Sequence, residues 1–177
     1  LISSIQSPDV SLFTDPKFID DNTLVTAVRL TNGQMALVMA ETGTGKLTML
    51  TPASFNVVGY PSVDKDRILF TATYMGNDDI FILRMSDRKI LRVSNGPLGN
   101  YFVNTSGGKI TFSAFTAEGY QLKQMDEGKI VWEEIGDASA SVLKESFEVS
   151  HKNAPGDILL GQIARWVYPV SKYNKGK

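Results

Sequence analysis

The sequence predicts an all-β fold made of repeated four-stranded antiparallel sheets, and two observations carry that prediction. Gly33, Gly76 and Gly119 stand 43 residues apart at each step, and each closes the same phrase of apolar run, polar turn and second apolar run. The runs are short and rich in β-branched and aromatic residues, and none sustains a 3.6-residue helical period. Self-similarity at a period of about 40–50 residues marks a stacked or radial array.

The elements follow in order. The first phrase gives strands at Lys17–Ile19, Leu24–Val28, Met35–Met39 and Lys46–Leu50. The second gives Val57–Tyr60, then Pro61 and the polar turn Asp64-Lys-Asp66, Arg67–Thr73, the turn Met75-Gly-Asn77, Asp79–Leu83, and Lys89–Val93. The third gives Tyr101–Val103, Ile110–Phe115, Tyr120–Leu122 and Lys129–Trp132. Short strands joined by short, evenly spaced turns describe antiparallel meanders. A four-stranded sheet that is apolar on both faces cannot bury itself alone. Packing such sheets face to face around an axis is the β-propeller solution.

The chain therefore divides into the end of a preceding blade (1–9), three blades (10–56, 57–99 and 100–136) and an irregular strand-like segment (137–177). Strand character in that last segment falls at Ser141–Val149, Asp157–Gly161 and Arg165–Val170. Leu1–Ile5 reads as the fourth strand of a blade lying upstream, which makes the chain an excised part of a larger propeller. The alternative is a closed four-bladed ring, in which the N-terminal strand completes a sheet formed by the C-terminal segments.

Composition limits the function. Hydrophobic residues at 42% and charged residues at 21% suffice for a core. The net charge of −1 lacks the clustered basic excess of a nucleic-acid binder. With no cysteine, neither disulfides nor thiolate metal sites can form. No apolar run is long enough for a transmembrane helix.

Several motifs resolve into turns or surface. Gly43-Thr-Gly-Lys46 invites a phosphate-loop reading, but Ala40 and Leu47 stand where that motif needs Gly and Ser or Thr. It aligns instead with Ser86-Asp-Arg-Lys89 and Asp126-Glu-Gly-Lys129, the turns before the fourth strands. His151, the sole histidine, has no nucleophile elbow or second ligand to serve and reads as a solvated loop residue. Adjacent residues of a strand point to opposite faces, so Asp20-Asp21, Asp78-Asp79 and Glu133-Glu134 form no carboxylate pair by themselves. Turn chemistry is their reading, with a cation at one rim as the alternative. Asn104-Thr-Ser106 matches a glycosylation acceptor, which has meaning only in a eukaryotic secretory setting. Trp132, Trp166, Tyr168 and Tyr173 form either an aromatic platform or blade packing. The sequence thus points to no catalytic, cofactor-binding or metal-binding residue.

The middle phrase carries a resemblance. Tyr60-Pro-Ser-Val-Asp-Lys-Asp-Arg-Ile-Leu-Phe-Thr-Ala72, with Gly76-Asn-Asp-Asp-Ile-Phe81 and Lys89-Ile-Leu-Arg-Val-Ser94, resembles the TolB-type (WD40-like) propeller repeat. The likeness runs from Asp15 to Ile135. Where that repeat has Ser-Pro-Asp-Gly, this chain has Val63-Asp-Lys-Asp66, Thr105-Ser-Gly-Gly108 and Asp20-Asp-Asn22, so the architecture transfers and the turn chemistry does not. Tyr168–Gly176 is similar to the stretch between propeller and outer-membrane barrel in large bacterial envelope proteins. The resemblance implies a non-catalytic module of a periplasmic or outer-membrane multidomain protein. Its implied partners are a protein or peptide and, through open blade edges, a second copy of itself. The alternative is the substrate-gating propeller of a peptidase whose catalytic domain lies elsewhere.

Overall fold

A computed structural model describes residues 4–137 and Leu143. The chain divides into two compact units, Leu1–Ser146 and Phe147–Lys177. The second lies outside the described residues, and with it His151, Trp166, Tyr168 and Tyr173. The same holds for the strands expected at Ser141–Val149, Asp157–Gly161 and Arg165–Val170, Leu143 apart.

Each phrase folds into its own antiparallel sheet. The first contains β1 (Val10–Phe18), β2 (Thr23–Leu30), β3 (Met35–Glu41) and β4 (Leu47–Met49), side by side in that order. The second contains β5 (Val58–Asp64), β6 (Arg67–Tyr74), β7 (Asn77–Arg84) and β8 (Lys89–Arg92). The third contains β9 (Asn100–Ser106), β10 (Lys109–Thr116) and β11 (Gly119–Asp126). Ser4–Ser7, ahead of β1, hold no strand.

The 43-residue period is visible in backbone and hydrogen bonds alike. Gly33 and Gly76 lie between the second and third strands of their sheets and Gly119 opens the third strand of its own, with φ of 90°, 86° and 102°, a left-handed backbone open to glycine at no steric cost. Thr51 Oγ1 accepts from Leu37 N at 2.9 Å, and one period later Ser94 Oγ accepts from Ile80 N at 2.9 Å. Gly45 N donates to Glu41 O at 2.8 Å, and Arg88 N to Arg84 O at 2.9 Å. Gly43-Thr-Gly-Lys46 is therefore the β3–β4 hairpin turn, as the alignment expects.

Sheets stack by burying alternate faces. Ile68, Phe70 and Ala72 of β6 and Phe81 and Leu83 of β7 pack with Val25, Ala27 and Leu37 of the first sheet. Leu69, Ile80 and Ile82, on the opposite face, pack with Val103, Ile110, Phe112 and Ala114 of the third. The middle sheet is thus covered on both sides, which is why β6 and β7 read as unbroken apolar runs. The first strands β1, β5 and β9 lie next to one another along one side of the stack.

The strand expected at Lys129–Trp132 is not there. Glu127–Lys129 make a single 3-10 turn, residues 130–132 bridge, and β12 (Glu133–Asp137) joins the second sheet outside β8. That sheet therefore has five strands and the third has three. Apolar packing and charge both favour this edge: Ile135 packs against the core shared by the first two sheets, and Lys89 and Arg92 of β8 face Glu134 at 2.7 Å and Glu133 at 3.6 Å.

Candidate functional site

The first strand of every sheet carries a β-bulge at the same place. Register shifts fall between Thr14 and Lys17, between Gly59 and Ser62, and on β9 where it faces Thr111–Ser113. In each bulge a non-glycine residue takes the left-handed backbone: Asp15 at φ 52°, Tyr60 at 54° and Phe102 at 56°. For bulky side chains this costs about 1–3 kcal/mol each, and such strain concentrates at functional sites. Because β1, β5 and β9 are neighbours, the three bulges converge.

They enclose a concavity of about 180 Å³, lined by Asp15 and Lys17 of β1, Tyr60, Pro61 and Ser62 of β5, and Phe102, Val103 and Asn104 of β9. Ser62 Oγ donates to Asn104 Oδ1 at 3.4 Å across it. Aromatic rings continue from its rim. Tyr60 meets Phe102 at 4.5 Å and Tyr101 at 6.1 Å, Tyr101 meets Tyr120 at 6.1 Å, and Tyr120 meets Phe115 at 5.1 Å. Phe102, Tyr120 and Phe115 remain 57%, 63% and 45% exposed, a solvent-facing aromatic band.

Behind the band, side chains are locked. Tyr101 donates to Asp78 Oδ2 at 2.6 Å, and Thr73 to Asp78 Oδ1 at 2.5 Å. Burial, and then the Asp78 carboxylate, push the Tyr101 hydroxyl far above the ordinary tyrosine range. Asp79, fully buried on the other face of β7, accepts from Arg92 Nη2 at 2.5 Å, Ser94 Oγ at 2.8 Å, Asn100 Nδ2 at 3.1 Å and Gly96 N at 3.3 Å. Arg92 also sits 5.5 Å from the centre of the Tyr74 ring. The pair Asp78-Asp79, expected to serve a turn, instead clamps the second sheet to the third. Asp20 does what the sequence predicts: its Oδ1 accepts from Asn22 N at 2.8 Å, and that bond lowers its pKa.

Of the four aromatic residues singled out from sequence, Trp132 alone is described. It lines a separate crevice of about 450 Å³ with Ile82, Arg84, Leu91 and Glu134. The charged groups there are already paired, Arg84 with Asp87 and Glu134 with Lys89. Among the described residues no group of three His, Cys, Asp or Glu is placed to hold a metal ion, and no helix is long and apolar enough to cross a membrane. The band of Tyr60, Tyr101, Phe102, Tyr120 and Phe115 escapes sequence reading because the left-handed backbone of Tyr60 and Phe102 has no residue signature and the other rings join them only once the sheets stack.

Sheets stacked face to face, with their first strands side by side and a concavity where those strands bulge, are blades of a β-propeller, and the chain is a partial propeller of TolB-like fold. It is similar to a putative TolB from Agrobacterium tumefaciens, with a TM-score of 0.54 and 18% identity over 70% of this chain and 50% of that one. It is also similar to TolB from Acinetobacter baumannii, with a TM-score of 0.58 and 21% identity over 70% of this chain and 32% of that one. The chain thus spans half or less of the length of these solved relatives. No protein-family model and no curated protein matches the sequence.

Proposed function

We propose that this chain is a non-catalytic interaction module of a larger bacterial envelope protein, and that it binds an extended protein or peptide segment across the axial concavity and its aromatic band. One observation carries the reading: two of the three converging bulges hold Tyr60 and Phe102, and the rings run on through Tyr101, fixed by its hydrogen bond to Asp78, to the exposed Tyr120 and Phe115. Rigid tyrosine and phenylalanine surfaces bury large area at low entropic cost, and such residues dominate interface hot spots. The polar lining is nearly balanced, with Asp15 and Lys17 of opposite charge, which suits a neutral apolar segment better than an anion. The likeness to TolB structures supports an envelope setting. The edge of β11, outermost among the described residues, supports strand-to-strand contacts as well, including contacts with a second copy.

Calorimetric titration with a peptide library checks this. Aromatic-rich extended peptides are expected to bind, and Phe102→Ala or Tyr120→Ala to weaken that binding by about 2 kcal/mol or more with circular dichroism unchanged. Equal affinity in both variants would remove the band from the site.

A further inference from the structure

Among the described residues the third sheet stops at β11, while the second runs on through β8 to β12. The outer part of the second sheet's face is met by the bridge of residues 127–132 rather than by a strand, and Ile130 packs there against the core. A crevice of about 450 Å³ remains beside it, with Ile82, Leu91 and Trp132 as its apolar surfaces and Trp132 still 38% exposed. Arg67 and Glu127 line both this crevice and a second one of about 510 Å³, so the two adjoin at that ion pair. The second crevice is polar and lies between the Asp64-Lys-Asp66 turn and residues 105–108. Neither shares a lining residue with the axial concavity.

Charge and surface define what fits. Arg67 is held by Asp64 and Glu127, Arg84 by Asp87, and Glu134 by Lys89. Ions neutralised by one another offer a polyanion no net attraction. A wholly apolar ligand would strip them of hydration and put nothing in its place. Hydroxyl groups do replace that hydration, because they donate to carboxylates and accept from guanidinium N–H groups. At the far end the Thr105 and Ser106 hydroxyls line the second crevice and have no hydrogen-bond partner among the described residues.

We propose that the two crevices form one groove that binds a neutral oligosaccharide. One sugar ring stacks on Trp132, and the next ones hydrogen-bond along the Arg67–Glu127 pair towards Thr105 and Ser106. A sugar ring joins an apolar C–H face to a rim of hydroxyls, and the groove presents the matching pair of surfaces. The polarised C–H hydrogens meet the negative face of the indole. Each crevice lies within the range of about 300–1,000 Å³ usual for small-molecule sites, and two in succession suit a chain of rings better than a single one. This stands whether or not the axial surface binds a peptide.

Calorimetric titration of the whole chain with maltotriose, cellotriose and triacetylchitotriose tests it, with the corresponding monosaccharides and the acidic trigalacturonate for comparison. At least one neutral trisaccharide is expected to bind about tenfold or more tighter than its monosaccharide and than trigalacturonate. Trp132→Ala should weaken that binding by about tenfold or more, and Trp132→Phe, which keeps an aromatic face, by about threefold or less. Thr105→Ala/Ser106→Ala should weaken it by about threefold or more. A second readout needs no change at Trp132: in Trp166→Phe the sole tryptophan is Trp132, and the bound trisaccharide should shield it from acrylamide quenching. Binding of none of the three, equal affinity for trigalacturonate, or binding that leaves Trp132 unshielded overturns the proposal. Loss of binding in Phe102→Ala overturns it too, because the sugar then sits on the axial band.

Discussion

Removing the Asp79 carboxylate leaves the Arg92 guanidinium buried, with Asn95 Oδ1 at 3.1 Å, Ser94 O at 3.0 Å and Glu133 at 3.6 Å to face it. Breaking a buried ion pair from one side costs about 3–5 kcal/mol, so urea unfolding of Asp79→Ala should show a loss of that order. Tyr101 gives a pH signature. Its hydroxyl pKa is raised in the folded protein above the ordinary tyrosine value, so the native state holds this proton where the unfolded chain releases it. The resulting stability is fully present below about pH 10 and declines above it. Tyr101→Phe should flatten that part of the alkaline decline, read as the difference between the two stability profiles from pH 9 to about 11. Gly99 belongs to the same scale, because a Cβ there would overlap the Tyr101 ring. None of these partnerships is legible in sequence: Asp79 and Asn100 are 21 residues apart and meet only because two sheets stack.

Turns and edges decide matters at the scale of the element. The β6–β7 hairpin has Met75 at φ 51° and Gly76 at φ 86°, the backbone of a type I′ turn. Glycine suits it, whereas methionine does not, and Met75 is 78% exposed, with little packing to lose. Met75→Asn should therefore stabilise the chain by about 0.5–1 kcal/mol, measured as a rise in Tm. Strand positions were largely legible, since apolar runs and turn residues place β2, β3, β6, β7, β8 and β10 to within about two residues, the usual boundary tolerance. β1 begins at Val10 rather than Lys17, and β5 and β9 run past the predicted ends, because bulges let a strand continue through polar residues and Pro61. The fourth strand of the third sheet was misplaced for another reason. Lys129–Trp132 has the local pattern of a strand, but which edge a strand joins depends on the side chains, apolar and charged, waiting there.

Across the whole molecule, the middle sheet is the keystone of the stack. Phe70, fully buried, packs against Phe81 with ring centres 5.9 Å apart on the face shared with the first sheet. Phe70→Ala should cost about 3–5 kcal/mol and lower the unfolding midpoint seen by fluorescence and circular dichroism together. The sequence by itself determined the repeat, the four-strand phrase and the turns, because period and residue preference are local properties that each stretch states for itself. The tertiary structure alone decided that Asp15, Tyr60 and Phe102 share one concavity, that Asp78 and Asp79 clamp neighbouring sheets, and that β12 sits beside β8. Those outcomes depend on which faces and edges meet after stacking. No single stretch of chain carries that information.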